Sequence, residues 1–530
     1  MPSLREPRSG VTIRFTRRQA LRLTSVSCLA GLLTACAAPV ATPTPQPGAP
    51  APTPTPQPAV PKPTVAPPTA TPAPAAKPAE PTAIPTAKPA AKPAEPVKLN
   101  VWWRVQPIPQ GAIEVFQKQH PEIQIALGDL GEAVYGTPKY TTAVAAGKGP
   151  DVAYQNRHTF RQFASRKLYR PIEDLMSRDK VSKEEFMPGP IKDLTWQGKL
   201  YGLPHTAGTR YFFWNRKHFQ EAGLNPDKGP QTWEEIEEMT PKLNKKLGNR
   251  FERYGFLPSF PPGLTDQLLI YAMENGGQSL DPEGRKVLID TDPWVEALTW
   301  CVGIVDKYAG GYASAASFME GFAGQPVDPF AQGKVAMCSY GNWMIGTYAR
   351  FPDLDYDGVG AMPTSKKMAG QKVNWSCGWT FVIDPNTKLV EPGWEFIKWI
   401  IGPEYVKAAG TVGLELETKE WERQKLPGKP IFAPTPPVYR PAMEVMEKEY
   451  YAPLPPRQKE MMRRYLDAET FSVGCGQIAG LAAAEMWVGF KNSWEGALTK
   501  KMTPKEALAA AKADVQKALD AAWVDLSKSG

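Results

Sequence analysis

The stretch from Pro39 to Pro96 constrains this chain more than any other feature. It holds 21 of the protein's 57 prolines, set among Ala, Thr, Gln and Lys, with no aromatic residue and only scattered Val and Ile. Such a composition cannot bury enough apolar surface to fold, so residues 37–96 are expected to be a disordered linker. Pro-rich chain prefers the extended polyproline II form at ~3.1 Å per residue, which gives a reach on the order of 150 Å. The tract divides the 530 residues into a short leader and a large head beginning near Val97. A head of that length exceeds the size at which single cores stop growing, so two lobes are expected.

The leader reads as a signal peptide over residues 1–36. Arg5, Arg8, Arg14, Arg17, Arg18 and Arg22 stand against Glu6, and a mostly apolar run follows from Leu21 to Leu33. A charged region, a short apolar region and small residues before a cut are the export signature. The run is shorter than the ~20 apolar residues a membrane-spanning helix needs. Leu33-Thr34-Ala35-Cys36 resembles a bacterial lipobox. That resemblance implies cleavage ahead of Cys36 and lipidation of its thiol, two or more acyl chains being needed for firm anchoring. The expected location is therefore extracytoplasmic, on the outer face of the cell membrane, with the Pro-rich tract as a spacer. Thr16-Arg17-Arg18-Gln19-Ala20-Leu21 also resembles a twin-arginine signal, without its usual Phe. The general and twin-arginine export routes both stay open.

Charge narrows the partners. The net charge is +8, but six Arg against one Glu lie in the leader, and Lys62, Lys77, Lys88 and Lys92 against Glu80 and Glu95 lie in the linker. The head is nearly neutral, which removes any electrostatic case for nucleic acid. Its cysteines, Cys301, Cys338, Cys377 and Cys475, are too widely spaced for a zinc site. One or two disulfides or scattered buried thiols are both compatible with an oxidising compartment. No metal site and no cofactor are expected.

The head alternates strand and helix. Lys98–Trp103, Ile123–Leu127 and Asp151–Tyr154 read as strands; Ile113–Gln119 and Tyr140–Ala146 read as helices. That alternation predicts an α/β fold with a mainly parallel sheet, which places ligands beyond the carboxyl ends of strands. Trp196–Pro204 reads as a hairpin around Gly198, and Arg210–Asn215 as a central aromatic strand. Thr232 and Glu235 form a capping box opening a helix to Leu243. Phe330–Met337 reads as a helix end turning into a strand, Trp394–Ile400 as a helix stopped by Gly402-Pro403, and Pro504–Leu526 as an Ala-rich helix.

In this order the segments resemble family 1 of the extracellular solute-binding proteins of ABC transporters, the group that contains maltose-binding protein. The matching pieces are Leu99–Trp103; Phe116 with His120–Ile123; Ala145–Val152; Gly198–Pro204; Trp214–Arg216 with Phe219 and Ala222–Leu224; Thr232–Glu235; Gly333–Met337 with Gly341–Trp343; and Trp394–Phe396. The resemblance implies a two-lobe α/β fold of the periplasmic-binding-protein type II, with discontinuous lobes and a hinge. Residues 97–207 and 376–430 would form lobe one, and 208–375 and 431–530 lobe two. It further implies a monomer that clamps a carbohydrate and delivers it to an ABC permease. No Gly-x-x-x-x-Gly-Lys-Ser/Thr loop is present, so the chain is not the transporter's ATPase.

A sugar site needs aromatic planes for C–H faces and placed polar groups for hydroxyls. Trp102, Trp214, Trp233, Trp294 and Trp394 occupy motif positions and are expected in the core. The resemblance points to Trp343 as a stacking aromatic. Trp379, after Gly378 where the chain would cross between lobes, is a second candidate for stacking, and Asn342 is either a rim hydrogen bonder or a helix cap. In lobe one, Arg104 and Gln106 follow the first strand, and Gln155, Asn156, Arg157 and His158 follow the third; one or two of these six are expected to meet ligand. His205 lies near a proposed crossing. Where the family carries acidic residues in lobe one, this chain has Gln106 and His158, so an anionic or modified sugar enters consideration.

Two rival readings compete with this one. A secreted glycan-degrading enzyme needs paired carboxylates or an activated nucleophile, but the chain has no Gly-x-Ser-x-Gly, no His-Glu-x-x-His and only four His. The expectation is that it is not an enzyme. A non-transport binding lipoprotein, sensor or adhesin, would show the same head.

Overall fold

The computed structural model describes residues 95–129, 138–258, 267–322, 327–425, 429–478 and 480–529. The expected signal peptide, the lipidation of Cys36 and nearly all of the 37–96 linker lie outside the described residues.

The strands in chain order are β1 (Val97–Trp103), β2 (Ile123–Asp129), β3 (Val152–Asn156), β4 (Thr195–Trp196), β5 (Lys199–Leu200), β6 (Gly202–Pro204) and β7 (Gly208–Asn215). They continue with β8 (Lys245–Leu247), β9 (Arg250–Phe256), β10 (Val335–Gly341), β11 (Tyr356–Val359), β12 (Trp375–Cys377), β13 (Trp379–Ile383) and β14 (Val473–Gly474). Two main sheets result. The first runs β2-β1-β3-β13-β6; the second runs β14-β12-β7-β10-β9-β8, with β11 also on β7.

Each sheet has its own core. Lobe one buries Leu99, Val101, Phe116, Phe381, Trp394 and Phe396; lobe two buries Tyr211–Trp214, Trp294, Phe256 and Phe490. All eight residues of β7 are buried, as a run of bulky aromatics demands when both faces of a strand are covered. Trp214, Trp233, Trp294 and Trp394 are core residues as expected. Trp102 is only half-buried, and Lys139 sits 4.5 Å above its ring.

The sheets are mixed rather than mainly parallel. β1 pairs in parallel with β2 and β3, but β13 is antiparallel to both β3 and β6, and β7 is antiparallel to β10, β11 and β12. The cause is connectivity: β7 and β13 enter from the opposite lobe without a helical crossover, so nothing turns them parallel.

Those entries are the lobe crossings. One runs from Pro204 to Gly208 and the next through Gly378, between β12 in the second sheet and β13 in the first. They lie side by side: the His205 N–H donates to the Trp379 carbonyl at 2.8 Å, and the Arg157 N–H donates to the Gly378 carbonyl at 2.9 Å. A third segment bridges Thr206 through Pro437. Lobe one had been expected to end at 430, yet Val438 sits in its core and Met187 donates to the Val438 carbonyl. This segment touches both cores: Ile431 and Ala433 pack against the second one ahead of Val438, and Leu454 lies within it.

Local details depart from expectation in two places. Thr232 caps the Trp233–Leu243 helix by accepting from Glu235 N–H at 3.2 Å, but the Glu235 carboxylate reaches back to Gln231 rather than to Thr232. Residues 329–333 form a turn rather than a helix end: Asp328 accepts from the Phe330 and Ala331 N–H groups, and Gly333 reverses the chain at φ 67°.

Candidate functional site

The two lobes enclose a cleft of about 360 Å³ beside the crossings. Its lobe-one wall begins where β1 ends, with Trp103, Arg104 and Gln106. Tyr154 and Asn156 reach the same wall from β3, because alternate residues of a strand share a face. Trp379 opens β13 and stacks on Tyr154, ring centres 4.8 Å apart and 8° from parallel. The Arg104 guanidinium lies 4.6 Å from the Trp379 ring centre and 5.5 Å from that of Tyr154, a cation–π arrangement. His205 stands beside Tyr154, with Nδ1 3.1 Å from the phenol oxygen. Burial, then the nearby Arg104 charge, push the His205 imidazole down to about 3, so it is neutral at physiological pH. Burial pushes the Tyr154 phenol up to about 12, so it keeps its proton.

Lobe two supplies Trp343, Thr347 and Trp375, and the third bridging segment supplies Phe432. Trp343 follows β10, and its indole packs against Gly341: a Cβ there would sit 2.0 Å from the ring. Gly208 gives similar room on β7, where a Cβ would lie 3.4 Å from the same indole. Behind this wall the buried Arg210 guanidinium sits 4.9 Å from the Trp375 ring centre and 5.7 Å from that of Trp343. Each lobe thus offers aromatic surface and polar donors to one shared space. Among the described residues no three of His, Cys, Asp and Glu cluster as a metal site would require.

The family model for bacterial extracellular solute-binding proteins matches residues 103–407, more than half of the chain. This chain belongs to that family. Curated relatives are distant: a binding protein of Brucella abortus is 26% identical over 271 residues, covering 50% of this chain and 62% of the relative. The maltotriose-binding protein of Pyrococcus abyssi is 23% identical over 323 residues, covering 58% and 64%. This solute-binding protein therefore spans less than two thirds of the length of those relatives. Among solved structures, CpMnBP1 with mannotriose bound superposes with a TM-score of 0.63 at 24% identity, covering 79% of this chain and all of that one. Maltose-bound MalE3 of T. maritima gives 0.60 at 19%, covering 80% and 99%. These likenesses establish the two-lobe fold.

Of the residues singled out in the sequence of this solute-binding protein, Arg104, Gln106, Asn156, His205, Trp343 and Trp379 line the cleft. Four others do not. Gln155 occupies the opposite face of β3 from Tyr154 and Asn156. Arg157 is fully buried in the hinge, donating to the Thr206 carbonyl at 2.6 Å, with Nε 3.5 Å from Asp193. His158 is held by the Asn156 side chain and packs edge-on to Trp487 of lobe two at 5.0 Å; burial keeps it neutral, pushed down to about 3. Asn342 ties β10 to β7, accepting from Thr209 N–H at 3.2 Å and donating its own N–H to the Thr209 carbonyl.

Sequence reasoning missed Tyr154, Trp103, Trp375 and Tyr405 in the cleft wall. Strand alternation would have found Tyr154, since any residue sharing a face with Asn156 points the same way. Tyr405 belongs to the helix Pro403–Gln424, and no local pattern marks it as facing a cleft.

Proposed function

We propose that this chain is the extracytoplasmic, lipid-anchored binding component of an ABC importer, which captures a carbohydrate between its lobes and delivers it to a membrane permease. The observation that carries this reading is the cleft itself: indoles from both lobes, Trp343 and Trp379, lie around one space with Gln106, Asn156 and Thr347 among them. Flat aromatic planes match the C–H faces of a sugar ring, and amides and hydroxyls match its rim. The relatives and neighbours named for maltotriose, mannotriose and maltose support the same ligand class. A cleft of about 360 Å³ falls at the small end of the ~300–1,000 Å³ range of ligand sites, which favours a short sugar. The Leu33–Cys36 motif supports the lipid anchor, and the Pro-rich tract then holds the head away from the membrane.

Thermal denaturation with a panel of mono- and oligosaccharides, polyols and sugar phosphates tests this. A ligand at one hundred times its dissociation constant stabilises the folded state by ~2.7 kcal/mol. A stabilising sugar whose effect is lost in Trp343→Ala is the expected result. Failure of the entire panel to raise the midpoint sinks the carbohydrate reading.

A further inference from the structure

The charge of the cleft wall points to a narrower ligand class. Among its described residues Arg104 alone carries a full charge, and no Asp or Glu is present. For a ligand of hydroxyls alone, ionised carboxylates are the strong acceptors, because charge-assisted hydrogen bonds are shorter and stronger than neutral ones. This wall offers the reverse. Arg104 presents guanidinium donors, and its neighbour His205 is held neutral by burial.

Three arrangements make Arg104 a built anion receptor rather than a stray surface charge. Its guanidinium carbon lies 4.6 Å from the Trp379 ring centre and 5.5 Å from that of Tyr154, so aromatic packing holds it at the cleft wall. Among the described residues that line the cleft with it there is no carboxylate. Gln106, two residues on, stands at the N-cap position of the helix Pro107–Gln119 without a side-chain capping bond, and the first turn of that helix also lines the cleft through Ile108 and Pro109. The positive end of that helix macrodipole adds to the field of Arg104. The Arg210 guanidinium behind Trp343 and Trp375 places a second cation near the opposite wall.

We propose that the ligand is an anionic carbohydrate, its carboxylate or phosphate held by Arg104 while its ring lies against the aromatic wall. This rests on the carbohydrate-binding reading above. A neutral sugar covering the half-buried Arg104 would leave the guanidinium without a charged partner, whereas an acidic sugar supplies that partner.

Isothermal titration of the full chain with matched pairs tests it: glucuronate against glucose, digalacturonate against a neutral galactose disaccharide, and glucose 6-phosphate against glucose. The acidic member of at least one pair is expected to bind about tenfold or more tightly, and the preference to shrink as salt rises. Preference in the uronate arms identifies a carboxylate, and preference in the phosphate arm identifies a phosphate. Arg104→Gln is expected to abolish the preference, and Arg104→Lys to keep part of it, since Lys retains charge but not the planar fork. Equal binding within every pair, or a preference unchanged in Arg104→Gln, overturns the proposal. If neutral sugars bind equally well and Trp343→Ala abolishes that binding, carbohydrate capture stands and only the anionic class falls. If no member of any pair binds, the anionic proposal falls, and carbohydrate capture falls with it only when the wider panel of sugars and polyols also fails.

Discussion

The carbonyl oxygen of Thr206 occupies the space where a side chain on residue 378 would begin: a Cβ built on Gly378 would lie 2.2 Å away. Gly378 adopts φ 147°, a conformation that residues with a Cβ rarely accept. Here the two lobe crossings touch, and the Trp379 N–H donates to the Thr206 hydroxyl at 3.3 Å.

Gly378→Ala should therefore force the crossings apart. Backbone strain of this kind costs on the order of 1–3 kcal/mol. The expected outcome is a lowered melting midpoint and a slower or weaker ligand-induced closure, read by small-angle scattering with and without ligand. A variant with wild-type stability and closure would mean that the crossings have room to separate, and that residue 378 is not where the hinge is tight.

Trp343→Ala should weaken ligand binding more than it weakens the fold. The indole is half-buried, packed over Gly341 and Gly208 at the edge of the lobe-two core rather than within it. Losing an aromatic stacking face reduces affinity by roughly 10- to 100-fold. Trp343→Phe, which keeps a smaller plane, should fall between. Trp394→Ala serves as the contrast, because Trp394 is fully buried and its truncation should cost about 3–5 kcal/mol of stability. Calorimetric titration beside thermal melts separates the two effects.

Particular residues show how much of this was legible in the sequence. Gly341-Asn342-Trp343 marked a strand end, and Trp343 does reach the cleft; its neighbour Asn342 turns inward to secure β7, a choice made by pairing across 133 residues of chain. The run Gln155–His158 was readable as following a strand, but only Asn156 lines the cleft, because β3 alternates and the chain then turns into the hinge. Elements with a local cause, such as the Thr232 cap and the Val390–Ile401 helix, were readable. Antiparallel entry of β7 and β13 was not, since it depends on which lobe the chain has just left.

The hinge also contains a carboxylic acid whose charge is costly. Glu469 sits near Ser376, Tyr465, Arg157 and Asp193, and burial pushes it up to about 7 from an ordinary value near 4.5. A folded-state value above the unfolded one means that the native protein binds the extra proton. Stability from this group is thus full below about pH 4.5 and is lost as pH rises through 7. His158, His205 and His218 act in the opposite sense, since burial lowers all three and their contribution is lost as pH falls below about 6.5. A raw stability profile mixes these slopes, so the decisive quantity is the difference between Glu469→Gln and wild type. That difference should move in favour of the variant by on the order of 1 kcal/mol between pH 5 and pH 8. A constant difference would mean that Glu469 is ionised throughout, paired with Arg157.

Cys377 and Cys475 are joined by a disulfide across 98 residues, a pairing that spacing alone could not distinguish from buried thiols. It lies at the hinge, one residue before Gly378 and one before Gly476, whose N–H donates to Asp193 of lobe one at 3.1 Å. Closing a loop of that length restricts the unfolded chain, and such bonds typically contribute about 2–4 kcal/mol. Reductant should therefore lower the melting midpoint of the wild type and leave that of Cys377→Ala/Cys475→Ala unchanged, the variant starting lower. Cys301 and Cys338 are free but wholly buried, so alkylation should reach them only on unfolding. Peptide mapping of denatured, unreduced protein should find Cys301 and Cys338 modified and Cys377 and Cys475 still protected. Modification of Cys377 without reductant would show that the bond is absent, and the hinge would then be held by its hydrogen bonds and the Arg157–Asp193 pair.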